Sequence, residues 1–362
     1  MKKNKKEGQS SVQKNKEVKN LVSVKSAHAV SQSDLFEEYE LLPPARKVYD
    51  DINLGTLVFV IGIPKAGKTT YCENMALSIS SGMDEFLGKP IQIENRKTLF
   101  ISLEEDWTLT TPRRRKQFQR IKNDKELVEN YNHNFITINS SFPALFTNDE
   151  DWNTLGKTII ESGADVVFID SLTRTYNGGI EESSKAKEVT MKLRNLIKVL
   201  NVTLFVIHHL PKATIDKSLN IFSMAGSRVL SAEVDYIYGV TKTTGGTKYI
   251  KEIESRYKRV DEECITFDID EDQWISVIDR LDEDDILENT KKDKRKSSVN
   301  TKPIHDYFKE RGTCTTKELK GEFVDNGAMS APTLNTQLTK LTEAGQIKRT
   351  GHGVYELMEE DK

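Results

Sequence analysis

A chain of 362 residues with 36% hydrophobic and 30% charged content is long enough for about two domains yet too polar for every segment to be packed. It has no run of about 18 apolar residues and no apolar signal core at its start, which excludes a membrane span and points to a soluble, cytoplasmic protein. Cys72, Cys264 and Cys314 lie far apart with no CxxC pair, which argues against a disulfide framework or a structural zinc site, and the net charge of −3 conceals an uneven distribution.

In chain order, residues 1–40 read as a disordered basic tail. Its opening "MKKNKKEGQSSVQKNKEVKNLVSVK" is Lys-, Ser-, Gln- and Asn-rich, with little to bury; it could brush nucleic acid or serve as a solvated spacer. Residues 41–280 read as one α/β domain, because from Leu54 onward strand-like and helix-like segments alternate as in a largely parallel sheet. The strand candidate "TLVFVI" leads into "GIPKAGKTT", which fits GxxxxGK[ST], and "KTTYCENMALSISSG" follows at helical spacing. A bare Gly-rich turn could join a strand to a helix. In this order, however, Gly62, Ile63, Pro64, Lys65, Ala66, Gly67, Lys68, Thr69 and Thr70 are expected to form a phosphate-binding loop for a nucleotide. Gly62 and Gly67 let backbone N–H groups face a polyphosphate, Lys68 reaches the β and γ phosphates, and the Thr69 hydroxyl helps hold Mg²⁺.

Further strands are expected at "KTLFISL", "ADVVFID" and "VTLFVIH", with a helix at "SSKAKEVTMKLRNLIKVL". Beyond Ala232, "VDYIYGV", "TKYIKEIES", "CITFDID" and "QWISVI" read as antiparallel strands finishing one edge of the sheet. Ligands bind outside the carboxyl edge of such a sheet, so polar groups at strand ends are site candidates. Asp170 ends one strand as the expected carboxylate for Mg²⁺, although a helix N-cap is the alternative. Glu104 ends another beside Glu105 and Asp106, a triplet that could be a solvated acidic turn. His208 and His209 end a third, or simply terminate it.

With these residues in place the sequence resembles RecA-fold ATPases of the type found in the RepA hexameric replicative helicase of plasmids and in many phage and mobile-element proteins. The likeness runs through "LLPPARKVYDDINLGTLVFVIGIPKAGKTT", "EFLGKPI", "KTLFISLEEDWTLTTPRRRKQ", "VVFIDSLTRTYNGG", "VIHHLPKA", "AGSRVLSAEVDYIYGV" and "SRYKRVDEECITFDID". The resemblance implies that Glu104, ending the strand beside the P-loop strand, polarises the attacking water, with Glu105 as fallback. It implies that His209 or His208 senses the γ-phosphate, and that a basic residue from the next subunit completes the site. Arg256 takes that last role, with Lys258 and Arg259 as rivals. Lys65 departs from the glycine found in many such loops. The collar domain of DnaB-type helicases has no counterpart before Arg46.

Residues 281–300, running acidic then basic, read as a charged linker. Residues 301–358 carry three helix signals, with Leu334, Leu338 and Leu341 on one face of the third, and then two short strands around a Gly turn. That order resembles a winged-helix module, which implies Asn335, Gln337, Lys340, Lys348 and Arg349 as DNA contacts, although many winged helices bind protein. The expected function is a hexameric ATPase motor on DNA, a replicative helicase of a plasmid, phage or mobile element. Lys212 and Lys217 then lie in the loop that meets single strands. An ATP-controlled DNA-binding regulator or loader is the alternative.

Overall fold

The computed structural model describes residues 30–41, 46–176, 183–223, 228–297, 301–351 and 353–358. The 1–29 part of the expected tail lies outside the described residues. Its last ten or so residues differ from expectation, because Gln32–Leu41 forms a helix, α1, with no buried residue.

The remaining elements follow from Lys47. A short ladder, β1 (Lys47–Tyr49) with β2 (Ile52–Asn53), precedes β3 (Leu57–Gly62) and α2 (Lys68–Ser81). A second small ladder, β4 (Glu85–Phe86) with β5 (Lys89–Pro90), leads to β6 (Thr98–Ser102), α3 (Trp107–Gln117), α4 (Lys125–Asn134) and β7 (Phe135–Thr137). Next come α5 (Asp149–Ser162), β8 (Val166–Asp170), α6 (Ser183–Leu200), β9 (Thr203–His209) and α7 (Arg228–Glu233). Four strands close the series: β10 (Tyr236–Lys242), β11 (Lys248–Ser255), β12 (Glu263–Ile269) and β13 (Ile275–Asp282).

All six residues of β3 are buried, and an unbroken apolar run of this kind requires a sheet covered on both faces. It lies inside a nine-stranded sheet of order β13-β12-β11-β10-β3-β9-β8-β6-β7. Period-2 alternation sends successive side chains to opposite cores. Phe59 and Ile61 join Leu155, Ile159, Leu193 and Ile197 of α5 and α6, while Val58 and Val60 join Tyr71 and Met75 of α2. On the second face Phe100, Phe168 and Phe205 stack across three neighbouring strands, with centroids 5.5 and 4.8 Å apart.

Two topological expectations need correction. β10 pairs in parallel with β3, so the antiparallel edge consists of β11, β12 and β13 packed outward from β10. The strand that leads to Glu104, β6, is separated from β3 by β9 and β8. Local sequence carries no record of strand order, which crossover packing decides.

The expected 281–300 linker instead starts with the last two residues of β13 and continues as a helix, α8 (Glu283–Ser297), while 298–300 lie outside the described residues. Glu283 is buried and anchors it: its carboxylate accepts from Leu219 N at 2.8 Å and from the Tyr249 hydroxyl at 3.0 Å, and pairs with Lys251. The C-terminal residues form α9 (Lys302–Arg311), β14 (Thr313–Thr315), α10 (Thr316–Lys320), α11 (Ala331–Glu343), β15 (Ile347–Gly351) and β16 (Val354–Leu357). Thr315 and Glu318 cap α10 reciprocally. β14 was not expected; it pairs with β16 to give the order β14-β16-β15. Ile304, Phe308, Leu319, Leu334, Leu338 and Leu341 make a core of their own.

No helix among the described residues is long and apolar enough to cross a membrane. Phe168→Ala empties the centre of the aromatic stack and should cost about 3–5 kcal/mol in a denaturant titration. Ile160→Ala, at a position 64% exposed, should stay within about 0.5 kcal/mol of the parent.

Candidate nucleotide-binding and catalytic site

The parallel strands end together at one edge of the sheet. Gly62 of β3 pairs with His209 of β9, and Ser102 of β6 pairs with Asp170 of β8. Gly62 must lack a side chain, because a Cβ there would lie 1.8 Å from the Val240 carbonyl oxygen of β10. Gly67, the residue before α2, adopts φ 102°. Lys65 adopts φ 61°, a left-handed conformation that accounts for glycine at this place in other loops. Pro64 and Lys65 are exposed, whereas Ile63, Ala66 and Thr70 are buried.

Lys68 folds back under the loop, donating from Nζ to the carbonyl oxygens of Gly62 and Ile63, both at 2.8 Å. Burial pulls its pKa down to about 8, against the pull of Asp170 and Glu104. The Thr69 hydroxyl donates to Asp170 Oδ2 at 2.7 Å. Burial pushes the Asp170 carboxyl up to about 6 despite that bond. A desolvated carboxylate facing a hydroxyl in the first turn of a helix that has no side-chain cap is a donor set suited to a divalent cation. Glu104, Asp170 and His209 also bring ligand atoms within 4.8 Å of one another. Thr69 and Asp170 are therefore the residues that would hold Mg²⁺, and the ion, when bound, supplies charge neutralisation at phosphate oxygens.

Glu104 lies two residues past β6. Its Oε1 accepts from the Ser171 hydroxyl and from Thr173 Oγ1 at 3.1 Å, and meets His209 Nε2 at 3.2 Å. The His209 contact chiefly holds its pKa down to about 2. A carboxylate held this low stays anionic at neutral pH. Ser171 and Thr173 escaped the sequence reading, although two hydroxyls directly after the strand-ending Asp170 were the available signal.

The alternatives to these residues have other partners. Glu105 Oε2 is paired with Arg113 at 2.8 Å, and Asp106 caps α3 by accepting from Thr108 N at 3.0 Å. Strand alternation buries His208 near Phe59, their ring centroids 6.5 Å apart. Arg256 lies at the opposite edge of the sheet, where it donates to the Ala232 carbonyl at 2.9 Å and sits 3.5 Å from buried Asp235. Lys258 pairs with Asp50 at 3.1 Å and Glu252 at 3.0 Å, and Arg259 with Glu262. None of the three reaches the P-loop of its own chain.

Lys212 and Lys217 are exposed in the segment after β9, which is tied to the P-loop by Leu210 N donating to the Gly62 carbonyl at 2.9 Å. In the C-terminal module Asn335, Lys348 and Arg349 are exposed and Lys340 is half-buried. Gln337 is a correction: it is buried, because positions 334, 337, 338 and 341 share one helical face, and it is not available for a base contact.

A phosphate-binding loop at the carboxyl edge of a mostly parallel sheet, with a metal-directed carboxylate and a held glutamate beside it, defines a P-loop ATPase of RecA-like fold. The sequence matches the AAA domain family over residues 27–214, more than half of the chain, and the chain belongs to that family. Among solved structures it is similar to a separately solved ATPase domain, at 13% identity and a TM-score of 0.50, covering 70% of this chain and 100% of that one. It is also similar to a KaiC-like protein from the hyperthermophilic archaeon Pyrococcus horikoshii OT3, at 16% identity and a TM-score of 0.45, covering 65% and 100%. At 13% identity the first of these likenesses concerns the fold alone. No curated protein sequence matches the chain.

Lys68→Ala should impair productive ATP binding. Glu104→Gln should leave ATP bound while turnover falls by about 10²–10⁴-fold, measured as nucleotide retention and phosphate release in parallel. Full hydrolysis by Glu104→Gln with loss in Glu105→Gln would move the water-polarising role one residue along.

Proposed function

We propose that the chain is an ATP-hydrolysing motor acting on DNA, assembled as a ring of the RepA-like kind, a replicative helicase of a plasmid, phage or mobile element. One observation carries the reading. His209, bonded to Glu104, ends the strand whose next residue bonds the P-loop and whose continuation exposes Lys212 and Lys217. A change at the phosphates thus has a short path, through His209 and Leu210, to a basic surface that can grip a nucleic-acid backbone.

In this reading the P-loop N–H groups and Lys68 hold the phosphates and Glu104 aligns the water. Arg256 serves the neighbouring subunit, which suits its distance from its own P-loop and its side chain's 49% exposure. The C-terminal module, read as a winged helix over residues 301–358, presents Asn335 for bases and Lys348 and Arg349 for phosphates. Because the module has a core of its own, a regulator or loader that uses it without separating strands is the second reading.

Displacement of one strand of a forked duplex should occur with ATP and not with a non-hydrolysable analogue; duplex binding without displacement in either case favours the regulator. Arg256→Ala should keep nucleotide affinity while turnover falls by about 10³-fold or more. Turnover per subunit that is independent of protein concentration in a proven monomer excludes a shared site.

Deleting the chain after Asn300 should abolish duplex preference and spare ATPase activity stimulated by single-stranded DNA. The opposite outcome would reverse the division of labour.

A further inference from the structure

Against the site lies a buried polar cluster that none of the steps above uses. Glu73 sits in α2 one helical turn beyond Thr69, its carboxylate wholly shielded from solvent. Arg113 reaches it from Nε at 2.7 Å and Nη2 at 3.1 Å, Arg114 from Nε at 3.1 Å, and Gln117 from Nε2 at 3.0 Å. These three side chains share one face of α3. Both guanidinium groups also reach onward. Arg113 Nη2 donates to Glu105 Oε2 at 2.8 Å, while Arg114 donates to Ser102 Oγ and Thr137 Oγ1, each at 3.0 Å, and lies 4.9 Å over the Phe100 ring. A carboxylate on the nucleotide-binding helix is thereby joined to the last residue of β6 and to the residue next to Glu104.

We propose that Arg113 is a positioning residue for hydrolysis: the Glu73–Arg113–Glu105 bridge sets the place of Glu104 relative to the phosphates held at the start of α2. The proposal rests on the ATPase reading above. The contacts of Glu104 itself come from Ser171, Thr173 and His209, and none of those donors sits on α2. They orient its carboxylate, and the Thr69–Asp170 bond ties them to the first turn of α2, which leaves the spacing on the Glu105 side still to be set. The bridge supplies it through a planar guanidinium with fixed donor directions, which a flexible ammonium does not reproduce. Stability alone does not account for the outer half of the bridge. Glu105 is 44% exposed, and an exposed ion pair adds little to folding. Small displacements of a reacting group are costly, a shift of about 1 Å lowering rates by about 10²-fold.

The test compares nucleotide affinity with single-turnover hydrolysis of prebound ATP, with Mg²⁺ and single-stranded DNA present. Arg113→Lys and Glu105→Ala should each keep the Kd for ATP within about twofold while hydrolysis falls about tenfold or more. The double variant should fall no further than either single variant, since both break one bridge. Glu105→Gln keeps an acceptor oxygen and should recover most of the rate, and Arg115→Ala, which removes an exposed charge from the same helix, should change nothing. Additive losses, an ATP affinity that falls in step with the rate, or full activity in Glu105→Ala would each overturn the proposal, and Glu105→Ala decides the matter if Arg113→Lys does not fold. No turnover in the parent chain would instead sink the ATPase reading and the bridge with it, whereas normal parent turnover with unaffected variants sinks the bridge alone.

Discussion

The hydrogen bond from Thr69 to Asp170 is the contact on which the rest of the site depends. It joins the first turn of α2 to the end of β8, two strands away from β3, and it exists because both strands reach the same edge of the sheet. Desolvation makes the carboxylate costly to ionise. The apolar walls that build the sheet thus leave, at its edge, a polar group with an incentive to meet a cation. Lys68 stands in the same condition with opposite sign: its ammonium is satisfied by two loop carbonyls at the point where a polyphosphate would enter.

Glu104 shows a different use of burial. It is one-third exposed, so its low pKa derives from donors rather than from exclusion of water. Those donors come from two strands that chain order separates widely, β8 with its following turn and β9. The site is therefore a property of the sheet edge, and each strand contributes one or two groups that would be unremarked alone.

The C-terminal residues obey simpler rules. Capping by Thr315 and Ser330, a Gly312 at positive φ and a leucine stripe at helical spacing suffice to build three helices and the pleat that closes them. Two features resisted pattern reading, the strand β14 and the inward side of α11. Gln337 follows Leu334 by three residues and precedes Leu341 by four, so its polarity argued for solvent while its phase placed it inside.

Local chemistry determined most of the architecture here. Apolar runs without polar interruption specified β3, β6, β8 and β9, the glycines and Lys68 specified the phosphate loop, and polar residues at or just past strand ends pointed to Asp170, Glu104 and the His208–His209 pair as groups at one edge. Tertiary structure decided what depends on which strand lies beside which. It set β10 parallel to β3, put β9 and β8 between β3 and β6, separated His209 from His208, and turned Glu105 toward Arg113. It also sent Arg256 to the far edge and buried Glu73 among two arginines and a glutamine. The physical reason is range. Propensity, capping and side-chain periodicity act over a few residues and are written in sequence, whereas pairing order and buried charge networks join positions far apart in the chain, through packing that no short window records.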